Sequence, residues 1–488
     1  MTFNSYQFLI FFPVFIAVYF ATPFRWRWVL VMGASYFFYM FWKPIYALLL
    51  AGSTVVDYFV AILMAREPTR AKRVKYVVLS LMSNGGLLFF FKYFNFLNKS
   101  LSGALAVFGI NLEGTALDVL LPIGLSFYTF QSLGYIFDVY RGKIQAERHF
   151  GLYAMFVSFW PQLVSGPIER AGHMLPQYRE GHRFDYARVT AGLKMMAWGM
   201  FKKVVIADRL AVIVTTVYSS PHSFTGFHYA IATVFFAYQI YCDFSGYTDI
   251  AIGAAKVMGY ELMDNFNRPY ASRSTGEFWR RWHISLSSWF RDYMYIPLGG
   301  NRVPVPRYYL NLAVVFVVSG LWHGANWTFF IWGALHGSYL IISHLTGGIR
   351  RKAVGLLSLE KAPALHAWMQ RAVTFSLVCF AWIFFRAKSV QDAFYIVSRL
   401  PSGWRSCLSV AGLRSTAYLL GLDKVDLVVA IGSILVLEVA HFLGRNHMMR
   451  RILEGRPAWV RWPAYAALVL AILNLGAQKA APFIYFQF

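Results

Sequence analysis

Apolar residues run through this chain in long blocks, and polar residues fall between the blocks instead of alternating within them. That pattern predicts membrane-spanning helices rather than the narrow apolar stripes of a soluble core. Apolar runs at 6–22, 28–42, 44–64 and 75–97 give the first four spans. The first two are short, which suits tilted, re-entrant or jointly packed helices. Between the third and fourth lies REPTRAKRVK, where Arg66, Arg70, Lys72, Arg73 and Lys75 mark a cytoplasmic loop. Counting back puts the N-terminus outside, and Arg25 and Arg27 then fall inside as well. The start, MTFNSYQF, lacks a basic region, and no small-residue cleavage site follows it, so no removable signal peptide is expected.

Further along, Gly103 to Asp118 reads as an interfacial connector. The Val119–Phe137 run is interrupted by Pro122, Gly124 and Gly134. It carries Ser126, Tyr128, Thr129 and Gln131, polar groups that need helix partners or a wet cavity. Gly151 to Val164 ends in FWPQLVSGPIER, where Pro161, Gly166 and Pro167 break the helix. Gly192 to Val217 mixes apolar residues with Lys202, Lys203, Asp208 and Arg209, charges expected near an interface. Later spans are expected at Tyr308–His323, Thr328–Ile342, 372–385, 426–443 and 463–476. Arg350, Arg351 and Lys352 form one basic loop; Arg445, Arg450, Arg451, Arg456 and Arg461 form another. The 386–425 connector takes no assignment. The expected fold is an all-α polytopic membrane protein, with roughly 10–12 transmembrane helices plus re-entrant and amphipathic interfacial ones.

Composition agrees. Of 488 residues, 58% are hydrophobic and 14% charged, against about 25% charged in soluble domains. Lys and Arg number 46 against 22 Asp and Glu, a net charge of +24. Cytoplasmic loops facing anionic lipid explain that excess, and no nucleic-acid partner is expected. Cys242, Cys379 and Cys407 are scattered, with neither metal-ligand nor disulfide spacing, so no metal is expected.

Three stretches carry candidate chemistry. In SGLWHGANWTFFIWGALHG, His323 sits inside an apolar segment between Trp322 and Trp327, with Asn326 beside it and His336 further on. Ionisable groups in such segments are costly, which favours function, although a hydrogen-bonded bundle histidine is the plainer alternative. From Tyr308 to His323 is about 15 residues, or roughly 22 Å of an apolar core about 30 Å thick, so the imidazole lies deep. In YCDFSGYTDIAIG, Asp243 and Asp249 suit a polar cavity, an acid/base pair, cation ligands or hydrogen bonds to helix ends. In Glu261 to Arg307, Ser274 or Thr275 caps an expected amphipathic helix from Glu277 to Arg291. Arg273, Arg280, Arg281, Arg291 and Arg302 give it a positive field, suited to anionic lipid or a phosphorylated arm such as that of coenzyme A. His283 sits among them.

Together, RRWHISLSSWFRDYMYIPLGGNR, SGLWHGANWTFFIWGALHG and YCDFSGYTDIAIG resemble bacterial membrane-bound O-acyltransferases. FNSYQFLIFFPVFIAVYF and FWPQLVSGPIER extend the resemblance from the N-terminus to about Gly337. It is strongest with the branch that O-acetylates secreted polysaccharides such as alginate or cellulose; teichoic acid D-alanylation proteins are more distant. The resemblance implies one integral-membrane domain over 1–488, with N-terminal helices to 270, a catalytic core at 271–345 and C-terminal helices at 346–488. It implies a tunnel from a cytoplasmic donor to an external acceptor. By its WHG context His323 is similar to the family's signature catalytic histidine, and His283 to a second functional histidine toward the cytoplasmic mouth. Trp322, Asn326, Trp327, His336, Asp243, Asp249, Arg280 and Arg281 are the accompanying candidates for substrate or donor binding.

The resemblance implies no resident cofactor; acetyl-CoA or a carrier-protein thioester is the donor. Membrane lipid, a periplasmic acetyltransferase-type protein and polysaccharide secretion machinery are the implied partners, in a bacterial inner membrane with the N-terminus periplasmic. The chemistry suits the residues. Acyl transfer to a hydroxyl needs a base effective near neutral pH, which histidine supplies. Tryptophan or Asn326 groups are candidates to stabilise the oxyanion, and burial limits thioester hydrolysis. No GxSxG elbow points to a serine hydrolase. A transporter or flippase, also built from broken helices, and a non-catalytic secretion subunit are the competing readings.

Overall fold

The computed structural model describes residues 1–110, 116–421, 424–444, 455–477 and 481–486, and the regular structure among them is all helical. Arg445, Arg450 and Arg451, and part of the Gly103–Asp118 connector, lie outside the described residues.

Met1–Met196 with Thr248–Met263 form one compact unit. It holds α1 (Tyr6–Ala21), α2 (Phe24–Met40), α3 (Tyr46–Arg66), α4 (Arg70–Leu88), α5 (Phe94–Ala106), α6 (Leu125–Tyr140), α7 (Phe150–Ser158), α8 (Trp160–Leu163) and α9 (Ala171–Gln177). Its organising side chain is Trp160, fully buried in the FWPQLVSGPIER stretch. The rings of Phe3, Phe8, Phe11, Phe12, Phe15 and Phe38 stand 5.6 to 6.2 Å from it. Asp57 is buried mid-helix in α3, where its carboxylate accepts from Ser80 Oγ at 2.6 Å and Asn84 Nδ2 at 2.9 Å of α4. Polar side chains satisfied across helices in this way hold apolar segments in register.

The second unit comprises Ala197–Tyr247 and Asp264–Phe488. The chain enters it along α10 (Tyr186–Met200), continues through a π turn at Phe201–Ala207 and α11 (Asp208–Ser219), and leaves along α12 (Gly226–Met258). It returns for α13 (Thr275–Arg281), α14 (Ile284–Phe290), α15 (Val305–His323), α16 (Trp327–Leu345), α17 (Gly347–Leu356), α18 (Pro363–Arg386), α19 (Val390–Arg399), α20 (Val410–Leu419), α21 (Lys424–Leu443) and α22 (Ala458–Leu475). Its core is tryptophan-rich: Trp332 stacks on Trp382 at 5.7 Å, and Trp282 meets Trp382 at 5.1 Å.

Six helical segments among the described residues are long and apolar enough to cross a membrane: α3, α4 continuous with α5, α15, α18, α21 and α22. The α1 helix is apolar but shorter. Apolar side chains on these helices point outward, among them Leu48 at 67%, Met82 at 71% and Leu473 at 74% exposure. Water would penalise such faces, whereas lipid solvates them. The chain is thus an all-α polytopic membrane protein.

Two sequence expectations need correction, and one stretch left without assignment is filled. The basic stretch at 66–75 is mostly helical: α4 begins at Arg70, because Arg, Ala and Lys are strong helix formers. The 386–425 connector contains α19 and α20. The single helix expected from Glu277 to Arg291 is broken at Trp282, which is extended, and at His283, which is left-handed. Its N-cap is Ser274, whose Oγ accepts the Glu277 N–H at 3.1 Å while Glu277 Oε2 accepts the Arg273 N–H at 2.8 Å.

Candidate active site

His323 is the last residue of α15, and its placement begins with how α15 meets α16. Gly320 packs against the Phe329 carbonyl and Gly333 against the Phe316 carbonyl; a methyl group at either would collide with backbone. The helices can approach this closely only because both positions lack a side chain. Gly333→Ala is therefore expected to destabilise the protein by about 1–3 kcal/mol through overpacking. A lowered melting temperature in detergent would register it. Pro306 lies in the first turn of α15, where its missing N–H costs little. The helix thus includes Val305–Arg307 and is longer than the apolar run. Its 19 residues rise about 28 Å, which carries His323 to the end opposite its basic start.

His283 owes its position to Asn265. The Asn265 side-chain oxygen accepts the Ser285 backbone N–H at 3.1 Å and the Ser285 hydroxyl at 3.0 Å, and lies 3.2 Å from His283 Nδ1. The Asn265 carbonyl also accepts the Ile284 N–H at 3.0 Å. These bonds end α13, start α14 and hold His283 at φ 43°, ψ 56°. A left-handed non-glycine residue costs about 1–3 kcal/mol, and such strain persists where the surroundings over-determine it. A backbone N–H can only donate, so the atom facing Ser285 is the amide oxygen. His283 Nδ1 must then carry the proton, and the lone pair of the neutral ring sits on Nε2. Asn265→Ala leaves several buried donors without their acceptor, at about 1–3 kcal/mol each. It is expected to lower the melting temperature of the purified protein by several degrees.

The two imidazoles stand 6.4 Å apart, centroid to centroid, and both are buried. Trp322 lies 5.0 Å from His323 and 6.1 Å from His283. Trp332 and Phe385 edge against His323 at 5.0 and 5.5 Å, and Phe244 against His283 at 4.6 Å. This aromatic enclosure limits access of water to both rings. Into it comes a residue the sequence reading passed over. Tyr485 brings its hydroxyl to 3.4 Å from His323 Nδ1, and its ring packs 4.7 Å from Phe244. It is partly exposed, unlike the two histidines. Its signal in the sequence is faint: an aromatic cluster, PFIYFQF, beyond the last expected span.

The remaining candidates fall in different places. Trp322 is part of the enclosure. Asn326 caps α16, its Oδ1 accepting the Thr328 N–H at 3.1 Å and its Nδ2 donating to the Lys388 carbonyl at 3.2 Å. Trp327 is 49% exposed. His336 is buried one turn along α16 from Trp332, and its Nδ1 accepts the Trp279 N–H at 3.3 Å. Trp332 lies 5.0 Å from His336 as well as from His323. Arg280 is exposed; Arg281 pairs with Glu277 at 2.7 Å. Asp243 is buried against Lys203 at 2.7 Å. Asp249 is buried in the part of α12 that belongs to the first unit. Among the described residues no group of three or more His, Cys, Asp or Glu side chains could hold a metal ion.

Comparison with known proteins bears on this geometry. Residues 149–387, which include both histidines, match the model of the membrane-bound O-acyltransferase family. The chain is similar to a probable alginate O-acetylase of Pseudomonas putida, 37% identical over the full length of both chains. A peptidoglycan O-acetyltransferase of Helicobacter pylori is 36% identical over 75% of this chain and 72% of its own. A teichoic acid D-alanyltransferase of Streptococcus thermophilus is 28% identical over 54% of this chain and 68% of its own.

Proposed function

Because the chain belongs to the membrane-bound O-acyltransferase family, we propose that it carries an acetyl group from a cytoplasmic thioester across the bacterial inner membrane, for O-acetylation of a secreted polysaccharide of the alginate or cellulose kind. The observation that carries this reading is His323, buried within aromatic walls, with a phenolic hydroxyl 3.4 Å from its Nδ1 and a second histidine alongside. An imidazole is the side chain suited to take a proton from a hydroxyl near neutral pH, and the hydroxyl standing at this imidazole is that of Tyr485. Separations at the long end of hydrogen bonding are common before substrate binds.

The step balances on these groups. Tyr485 gives its proton to His323 Nδ1 as the phenol oxygen attacks the thioester carbonyl. The carbon–sulfur bond breaks, and the leaving thiolate takes that proton from His323. An aryl ester remains, reactive enough to pass the acetyl group to a second hydroxyl, and that transfer restores the phenol. His283 presents the Nε2 lone pair that Asn265 leaves it, as a hydrogen-bond acceptor beside the donor arm. Acetyl-CoA or a carrier-protein thioester is the donor, with no resident cofactor. The final hydroxyl belongs to a periplasmic acetyltransferase-type partner or to the polysaccharide itself. The basic residues around 66–75 favour a cytoplasmic face there and a periplasmic N-terminus.

The test uses purified protein in vesicles with labelled acetyl-CoA supplied to one face. Formation of ester-linked label supports the reading. Movement of unmodified polysaccharide without any ester would show a transporter instead.

A further inference from the structure

Tyr485 can meet His323 only if the segment that carries it is held in place. The segment Ala481–Phe486 is held by a charge cluster on the π turn after α10, on the first residue of α11 and on α12. Asp243 Oδ2 accepts the Ile484 N–H at 2.8 Å. Asp243 Oδ1 pairs with Lys203 Nζ at 2.7 Å, and the same ammonium meets Asp208 Oδ1 at 2.8 Å and donates to the Ala481 carbonyl at 3.1 Å. Side-chain exposures of Lys203, Asp208 and Asp243 are 9%, 1% and 3%. Buried ion clusters repay little in stability; fixing one arrangement is the better reason to keep them. This cluster grips the tail on either side of Phe483, whose ring packs 5.1 Å from Tyr247 and 5.8 Å from Tyr485. Next to Asp243 on α12 is Phe244, which touches both Tyr485 and His283. One turn of α12 therefore carries the tail anchor and the wall of the site.

We propose that Asp243, tied to Lys203, is a positioning residue that fixes the C-terminal segment so that the Tyr485 hydroxyl meets His323. The proposal rests on the reading of Tyr485 given above. Asp243 touches neither reacting atom; it acts through the Ile484 N–H, and Lys203 through the Ala481 carbonyl. A carboxylate is needed because one oxygen serves the tail while the other serves the ammonium.

The experiment reads tail position and activity separately, on full-length protein in detergent with Cys242, Cys379 and Cys407 changed to serine. With Tyr485→Cys as reporter, Asp243→Ala should raise maleimide labelling several-fold. Ile484→Pro should do the same, since it removes the N–H and leaves the charge cluster intact. In protein retaining Tyr485, both changes should cut transfer by roughly 100-fold, the scale of a misplaced reacting group. Asp243→Asn, which keeps an acceptor oxygen for Ile484, should recover part of it. Should Asp243→Ala fail to fold, Ile484→Pro carries the test. Unchanged labelling overturns the proposal, as does raised labelling with full transfer. Normal transfer by Tyr485→Phe would instead sink the reading of Tyr485 and leave the labelling result standing.

Discussion

Replacing His323 by alanine is expected to lower acetyl transfer by roughly 100- to 10,000-fold, the range for loss of a general base. The protein should still accumulate in the membrane. His323 closes the end of α15, and the glycine contacts that dock α15 on α16 do not involve its ring. What the substitution removes is the group beside the Tyr485 hydroxyl. The ring also fills space between Trp322, Trp332 and Phe385, so His323→Gln, which keeps bulk but supplies no base, should be nearly as inactive. The check is ester content of the secreted polysaccharide alongside membrane abundance of each variant. Near-normal ester content with His323→Ala would remove this histidine from the mechanism.

The second large effect is expected from a single atom. Tyr485→Phe keeps the ring contacts with Phe244 and Phe483 and deletes only the hydroxyl beside His323. Packing and the Asp243 anchor are untouched, so stability should stay within about 0.5 kcal/mol of the parent, as for changes away from core features. Transfer should nonetheless fall about as far as with His323→Ala. The comparison of melting temperature with transfer rate in purified protein separates the chemical role from a packing role. A variant that still transfers at the parent rate would mean that the acceptor hydroxyl comes from another molecule.

The membrane class was legible because long apolar blocks leave few alternatives, and His323 stood out because an ionisable group inside such a block is costly. The break before α14 was not legible. Alternating aromatic and basic residues predict one continuous amphipathic helix there, and periodicity carries no trace of Asn265, which interrupts it from 18 residues away. Asn326 was weighed for oxyanion binding; its cap on α16 explains its side chain without substrate. Asp243 stood out as a polar group in an apolar run, but its partners, Lys203 on the preceding π turn and Ile484 at a sequence distance of 241, are brought to it only by tertiary packing. Tyr485 was missed for the same reason: the segment that carries it is held by bonds made across separations of 241 and 278 residues.

The central claim is that His323 serves as the base while the Tyr485 hydroxyl takes the acyl group from the thioester. It is tested most directly by trapping that group. Purified protein is given labelled acetyl thioester, quenched in acid and digested, and the labelled peptide is identified by mass spectrometry. The account predicts ester label on Tyr485 in the parent protein and none in His323→Ala. Label on Tyr485 in the absence of the histidine, or transfer that proceeds with Tyr485 never labelled, would contradict it.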